Sequence, residues 1–138
     1  MNTTQAKMLI RQAVAARRQA HAPYSKFRVG AAVLAADGRI FQGCNVENAS
    51  YGLTLCAERA AVAAAVTAGC RRFKAIAIAG GSRKAPLYPC GACLQVLAEF
   101  CLPNCPIVLV PAGRSPAFQS YRLEDLLPHV FNKIKHPV

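Results

Sequence analysis

Two short stretches hold the residues that could do chemistry. One is Cys56-Ala57-Glu58-Arg59, and the other is Pro89-Cys90-Gly91-Ala92-Cys93. Three thiols and one carboxylate suit an open metal site. Three protein ligands leave a fourth position for water, which is the arrangement of a catalytic zinc rather than a closed structural one. Glu58 would then stand beside the metal as a proton carrier. Two other chemistries compete for the same residues. Cys90 and Cys93 alone have the spacing of a dithiol redox pair. A structural zinc would need a fourth ligand from His21, His129 or His136, with His129 the candidate. Neither alternative gives Glu58 a purpose.

The elements around these residues must bring the three sulfurs together. Residues 4–20 have helical spacing of Met8, Ile10, Val14 and Ala15, with Thr3 or Thr4 as the cap, and Pro23 closes that segment. Strands are expected at 28–35 and 39–44, joined through Asp37-Gly38 as a hairpin. Residues 45–55 read as a loop. The Ala-rich run 57–68 is a helix ended by Gly69. A strand at 73–79, a helix at 91–100 and a buried strand at 106–110 follow, and Pro111-Ala112-Gly113 makes a turn. A weak strand at 118–121 and a short helix at 123–127 end the pattern. The order α-β-β-α-β-α-β-β-α predicts an α/β fold, a three-layer α-β-α sandwich with a mixed sheet of about five strands. Cys56 opens one helix and Cys90 another. Both helices would start at one edge of the sheet, where unpaired amides favour thiolate.

Bulk properties narrow the classes. A chain of 138 residues, 54% hydrophobic, is large enough to bury a core as one domain spanning 1–138. No apolar stretch reaches the roughly 18 to 20 residues of a membrane span. The N-terminus carries charges through its apolar positions, unlike a signal peptide, so a cytoplasmic protein is expected. Seven cysteines in such a chain do not read as a disulfide framework. Cys44, Cys70, Cys101 and Cys105 are expected as small, mostly buried apolar residues. The net charge of +11 comes from 17 Lys and Arg against 6 Asp and Glu. Such a surface attracts polyanions. The cations are nevertheless scattered, with only the pairs Arg17-Arg18, Arg71-Arg72 and Arg83-Lys84, and Trp is absent. The charge therefore reads as a solvated face rather than a nucleic-acid interface.

Cys-Ala-Glu-Arg followed by Pro-Cys-Gly-Ala-Cys resembles the cytidine deaminase family in its short form with three Cys ligands. The resemblance extends through the run Ala22–Ala32, the run Gly43–Ala49 and the late Glu124-Asp125-Leu126-Leu127-Pro128. It implies one Zn2+ per chain on Cys56, Cys90 and Cys93, with water as fourth ligand. It further implies that water activated by the zinc attacks C4 of cytosine. Glu58 would take the proton of that water, pass it to ring N3 and later protonate the departing amine. Asn45 and Glu47 would bind the ribose hydroxyls, Phe27 would line the pocket, and the amide of Ala57 would meet the pyrimidine O2. Tyr51 and Phe131 would reach a neighbouring subunit's site, which implies a homotetramer.

The implied activity is hydrolytic deamination of cytidine and 2'-deoxycytidine to uridine and 2'-deoxyuridine plus ammonia, in pyrimidine salvage. Three thiolates on one zinc weaken its effect on water. Arg59, three residues from Cys56 on one helix face, is placed to offset that charge. The chain departs from the family at Leu94, where an Arg is common, at Tyr88, where a Ser is usual, and in its strongly basic balance. Two other classes stay open: a deaminase of another cytosine nucleoside (a blasticidin-type antibiotic) or of a polynucleotide base, and a zinc- or thiol-based binding module without turnover. The sugar grip expected of Asn45 and Glu47 favours a free nucleoside.

Overall fold

The computed structural model describes residues 1–82, 84–112 and 117–132. Arg83, Gly113 of the expected turn, and His136 lie outside the described residues. The elements are α1 (Thr3–Arg17), β1 (Gly30–Ala35), β2 (Ile40–Cys44), α2 (Ala57–Thr67), β3 (Phe73–Gly80), α3 (Gly91–Ala98), β4 (Pro106–Pro111), β5 (Gln119–Arg122) and α4 (Leu123–Leu126). The 45–55 segment contains a single 3-10 turn at Tyr51–Leu53 and one bridge between Val46 and Leu55.

The sheet has five strands in the order β2-β1-β3-β4-β5. The β3–β4 pair is parallel and the other neighbouring pairs are antiparallel. The mixed sheet expected from the element order is present. Two right-handed crossovers follow from this order, β2–α2–β3 over β1 and β3–α3–β4. Because both advance in the same direction across the sheet, α2 and α3 share one face. Alternation along the strands divides the core accordingly. Ala31, Val33, Ile76, Ile78, Ile107 and Leu109 face α2 and α3. Ala32, Leu34, Ala75, Ala77, Ala79 and Val108 face α1, which contributes Leu9 and Ala13. Every residue of β1 is buried because helices cover both of its faces. Full burial of each large aliphatic side chain such as Ile76 or Leu109 contributes about 1.5 to 3 kcal/mol.

Glycine sets how closely the helices approach. A Cβ at Gly43 of β2 would collide with the backbone of Ala57, Ala60 and Ala61 in α2, and one at Gly30 of β1 with Ala13 and Arg17 of α1. The small residues of both helices lie directly on the sheet for this reason. Element ends differ from expectation by a few residues. Asn2, not Thr3 or Thr4, caps α1, in a reciprocal capping box with Gln5. Helix α1 stops at Arg17 because the chain must turn for His21 to pair its backbone with Asn45 and Glu47. Strand β1 starts at Gly30 because the amide of Val29 donates to the Asn45 side chain instead of a neighbouring strand.

Candidate active site

Cys56 is the N-cap of α2, and Cys90 is the N-cap of α3, both with extended backbone. Cys93 lies in the first turn of α3. Their parent strands β2 and β3 both run parallel to one another with β1 between them, so both helices begin at one edge of the sheet. The three Sγ atoms lie within 4.8 Å of one another, with Cys90 and Cys93 3.5 Å apart. Zinc–sulfur bonds of about 2.3 Å in tetrahedral geometry require sulfurs about 3.8 Å apart. The set fits one zinc per chain. No His joins it among the described residues; His129 is exposed and outside the cluster. The dithiol reading accounts for two of the sulfurs and leaves Cys56 over.

The local environment treats the thiols differently. Burial works against ionising Cys90, but the amides of Cys93 and Ala92 and the thiol of Cys93 outweigh it and lower its pKa. Cys93 is pushed up by burial and by the neighbouring Glu58 charge. Sulfurs that share this space without a cation oppose each other's ionisation, which a bound divalent cation reverses.

Glu58 is only 4% exposed, the one buried acidic residue among those described. Burial raises its pKa, against the opposing effects of its own amide, Cys93 and Arg59. The Cys93 thiol donates to its Oε2 at 3.6 Å. Arg59 donates from Nη2 to Cys56 Sγ at 3.5 Å, and its Nε is buried without a partner. A guanidinium aimed at a sulfur in a half-buried setting supplies positive charge where thiolates gather.

A cavity of about 170 Å³ opens on this cluster, lined by Val29, Asn45, Cys56, Ala57, Glu58, Leu87, Tyr88, Cys90 and Cys93. Of the residues singled out in the sequence, Asn45 and Ala57 thus join the three cysteines and Glu58. Asn45 is 9% exposed. Its Oδ1 accepts from the Val29 amide and its Nδ2 donates to the Phe27 carbonyl, both at 2.8 Å. One N–H and one lone pair remain for a ligand. Glu47 lies beside the site, in a separate cavity with Tyr24, Ser25, Tyr51 and Thr54. Its carboxylate accepts from the amides of Tyr24 and Ser25 and, at very short range, from the Ser25 hydroxyl. These bonds, led by the Ser25 hydroxyl, hold its pKa below the ordinary value.

Phe27, Tyr51 and Phe131 stand outside the cavity and are exposed, Tyr51 by 74% and Phe131 by 73%. Tyr51 meets Tyr24 edge-on at 5.8 Å. The backbone of Phe131 exchanges two hydrogen bonds with the Gln95 side chain on α3. Sequence reasoning missed Val29 and Leu87 as lining residues and treated Tyr88 only as a departure. Val29 begins an apolar run and Leu87 lies in a loop, so neither has a pattern that separates pocket from core. Cys70 and Cys105 are buried as expected, while Cys44 and Cys101 are half-buried.

Comparison with known proteins agrees with this geometry. Residues 3–109 match the family described as the cytidine and deoxycytidylate deaminase zinc-binding region. A cytidine deaminase of Sporosarcina psychrophila is 47% identical over 125 residues, covering 91% of this chain and 90% of the relative. One from Mycobacterium tuberculosis is 47% identical over 124 residues, covering 90% and 87%. The crystal structure of a cytidine deaminase from Burkholderia pseudomallei superimposes with a TM-score of 0.84 at 47% identity, covering 95% of this chain and 100% of that one. The match spans both cysteine segments and the strands that carry them, and the chain belongs to the zinc-binding cytidine and deoxycytidylate deaminase family.

Proposed function

We propose that this chain catalyses the hydrolytic deamination of cytidine and 2'-deoxycytidine to uridine and 2'-deoxyuridine with release of ammonia. The observation that carries the reading is a buried carboxyl, Glu58, within 3.6 Å of one sulfur of a three-sulfur cluster in a small cavity. Cys56, Cys90 and Cys93 would hold the zinc, and the metal would supply the Lewis acidity that makes water a nucleophile near neutral pH. Glu58 does the proton work. It takes one proton from the attacking water and delivers it to ring N3, then takes that water's second proton and gives it to the amine as the C4–N bond breaks. Its burial favours this exchange, because raising the pKa of a carboxyl makes it a stronger base toward the attacking water.

The remaining residues bind and orient. The Ala57 amide meets the pyrimidine O2, at the free first turn of α2. Asn45 and Glu47 hold the ribose hydroxyls with the valences their internal bonds leave over, and Phe27 closes the sugar side. Arg59 tempers the thiolate charge, a larger duty here because Leu94 brings no cation to α3. The exposed Tyr51 and Phe131 complete a neighbouring subunit's site in a homotetramer, which gives a reason for leaving two large rings in water. Residues 1–138 act as one catalytic domain in cytoplasmic pyrimidine salvage. No helix among the described residues is long and apolar enough to cross a membrane.

The test is an assay of the purified protein with cytidine, deoxycytidine, CMP and a cytosine-containing oligonucleotide, following loss of cytosine absorbance and counting zinc per chain. Turnover of the two nucleosides with one zinc is expected. Activity confined to the oligonucleotide overturns the reading.

A further inference from the structure

Leu87 and Tyr88 form a wall of the cavity that belongs to no helix or strand. Tyr88 is nevertheless held at two points. Pro89 and Cys90 follow it directly and restrict its backbone. Its hydroxyl lies 2.9 Å from that of Tyr121 on β5, and the two rings are 5.6 Å apart. Tyr121 in turn donates to Gln119 Oε1 at 2.9 Å. A phenol has one proton to give. Tyr121 uses its proton on Gln119, so Tyr88 is the donor of the pair. The chain of bonds thus runs in one direction, from the pocket wall to the edge strand.

We propose that Tyr88, held by Tyr121 and Gln119, determines how large a group the base can carry beside its reacting carbon. The inference rests on the cytosine-nucleoside reading. The reacting carbon must lie within reach of Glu58 and the three sulfurs. Tyr88 lines that same cavity two residues before Cys90, the N-cap of α3, and is half exposed, so it bounds the space left for groups on the base next to the reacting carbon. The cavity is about 170 Å³, and a ring tied to β5 cannot swing aside to enlarge it without losing its hydrogen bond. Tyr88 is the specificity residue; Tyr121 and Gln119 are positioning residues.

The experiment compares kcat/KM for cytidine and 5-ethylcytidine in the wild type, Tyr88→Ser, Tyr88→Phe and Tyr121→Phe, with zinc content measured for each. The wild type should prefer cytidine. Tyr88→Ser should reduce that preference by about ten-fold, the scale of a small change in an apolar pocket. The two Phe variants, which keep the rings but cut the bond between them, should reduce it by a smaller factor. Global destabilisation lowers both rates together and leaves the ratio alone. Tyr121→Phe lies away from the ligand cysteines and stays decisive if changes at Tyr88 cost zinc. A ratio equal to that of the wild type in every zinc-loaded variant overturns the role of Tyr88, as does a wild type that accepts both nucleosides equally. A wild type inactive on every cytosine nucleoside instead overturns the functional reading beneath it.

Discussion

The carboxyl of Glu58 and the sulfur of Cys93 come within 3.6 Å of each other, although they arise from different helices and different crossovers. Glu58 projects from the first turn of α2 and Cys93 from the first turn of α3. Their meeting sets a buried carboxyl against a three-sulfur cluster that could hold a metal. Replacing Glu58 with Gln keeps the shape and removes the base. Glu58→Gln should bind one zinc per chain and lose roughly 10²- to 10⁴-fold in kcat or more. Metal analysis beside steady-state kinetics checks this; a Gln variant of undiminished turnover would remove Glu58 from the reaction.

Arg59 donates to the sulfur of Cys56. The guanidinium brings positive charge to the ligand sulfurs, so losing it weakens their hold on zinc against competing protons. Arg59→Gln should therefore begin releasing zinc at a higher pH than the wild type during acid titration. A chromogenic chelator follows the release. Coincident release curves would show that Arg59 does not act on the sulfurs.

Glu47 offers a second pH test of the same sign. Its folded pKa lies below the ordinary value of 4.5, first through the Ser25 hydroxyl. A depressed carboxylate contributes fully above its unfolded pKa and loses that contribution as pH falls through the folded value. KM for cytidine should thus show no rise from Glu47 between pH 8 and about 5. Ser25→Ala returns the pKa toward 4.5 and should move the acid rise in KM to higher pH. Measuring KM against pH in both proteins decides it.

Gly43 controls the approach of the helix that carries Cys56 and Glu58. A methyl group there meets the backbone of Ala57 and Ala61, not a flexible side chain. Gly43→Ala should cost about 1 to 3 kcal/mol of stability and reduce kcat by displacing α2. Thermal unfolding and kinetics together test this. A variant with unchanged melting and activity would mean that α2 can retreat freely from the sheet.

Much of this molecule follows from its sequence through local rules. The Ala-rich run with Gly69 behind it makes α2, and Gly69 takes a positive φ of 91° as a helix-ending glycine does. Asp37-Gly38 turns the hairpin, with Gly38 also at positive φ. The element order implies the mixed sheet, and two crossovers of one hand bring Cys56, Cys90 and Cys93 to one edge. Periodicity, punctuation and handedness act over short stretches, so they can be read without coordinates.

The rest depends on contacts between distant segments, which leave no periodic trace. Asn45 is expected from the family resemblance to bind the sugar, but nothing in the sequence shows that its side chain clamps Phe27 and Val29. Glu47 is likewise bound to Ser25 across the bridged loop. Tyr88 and Tyr121 are separate aromatic residues in sequence; only the packing of β5 against β4 brings their hydroxyls together. Residue types and spacing determined which chemistry the chain could support. Tertiary structure decided which neighbours hold those groups, because hydrogen bonds and burial are set by distance in space.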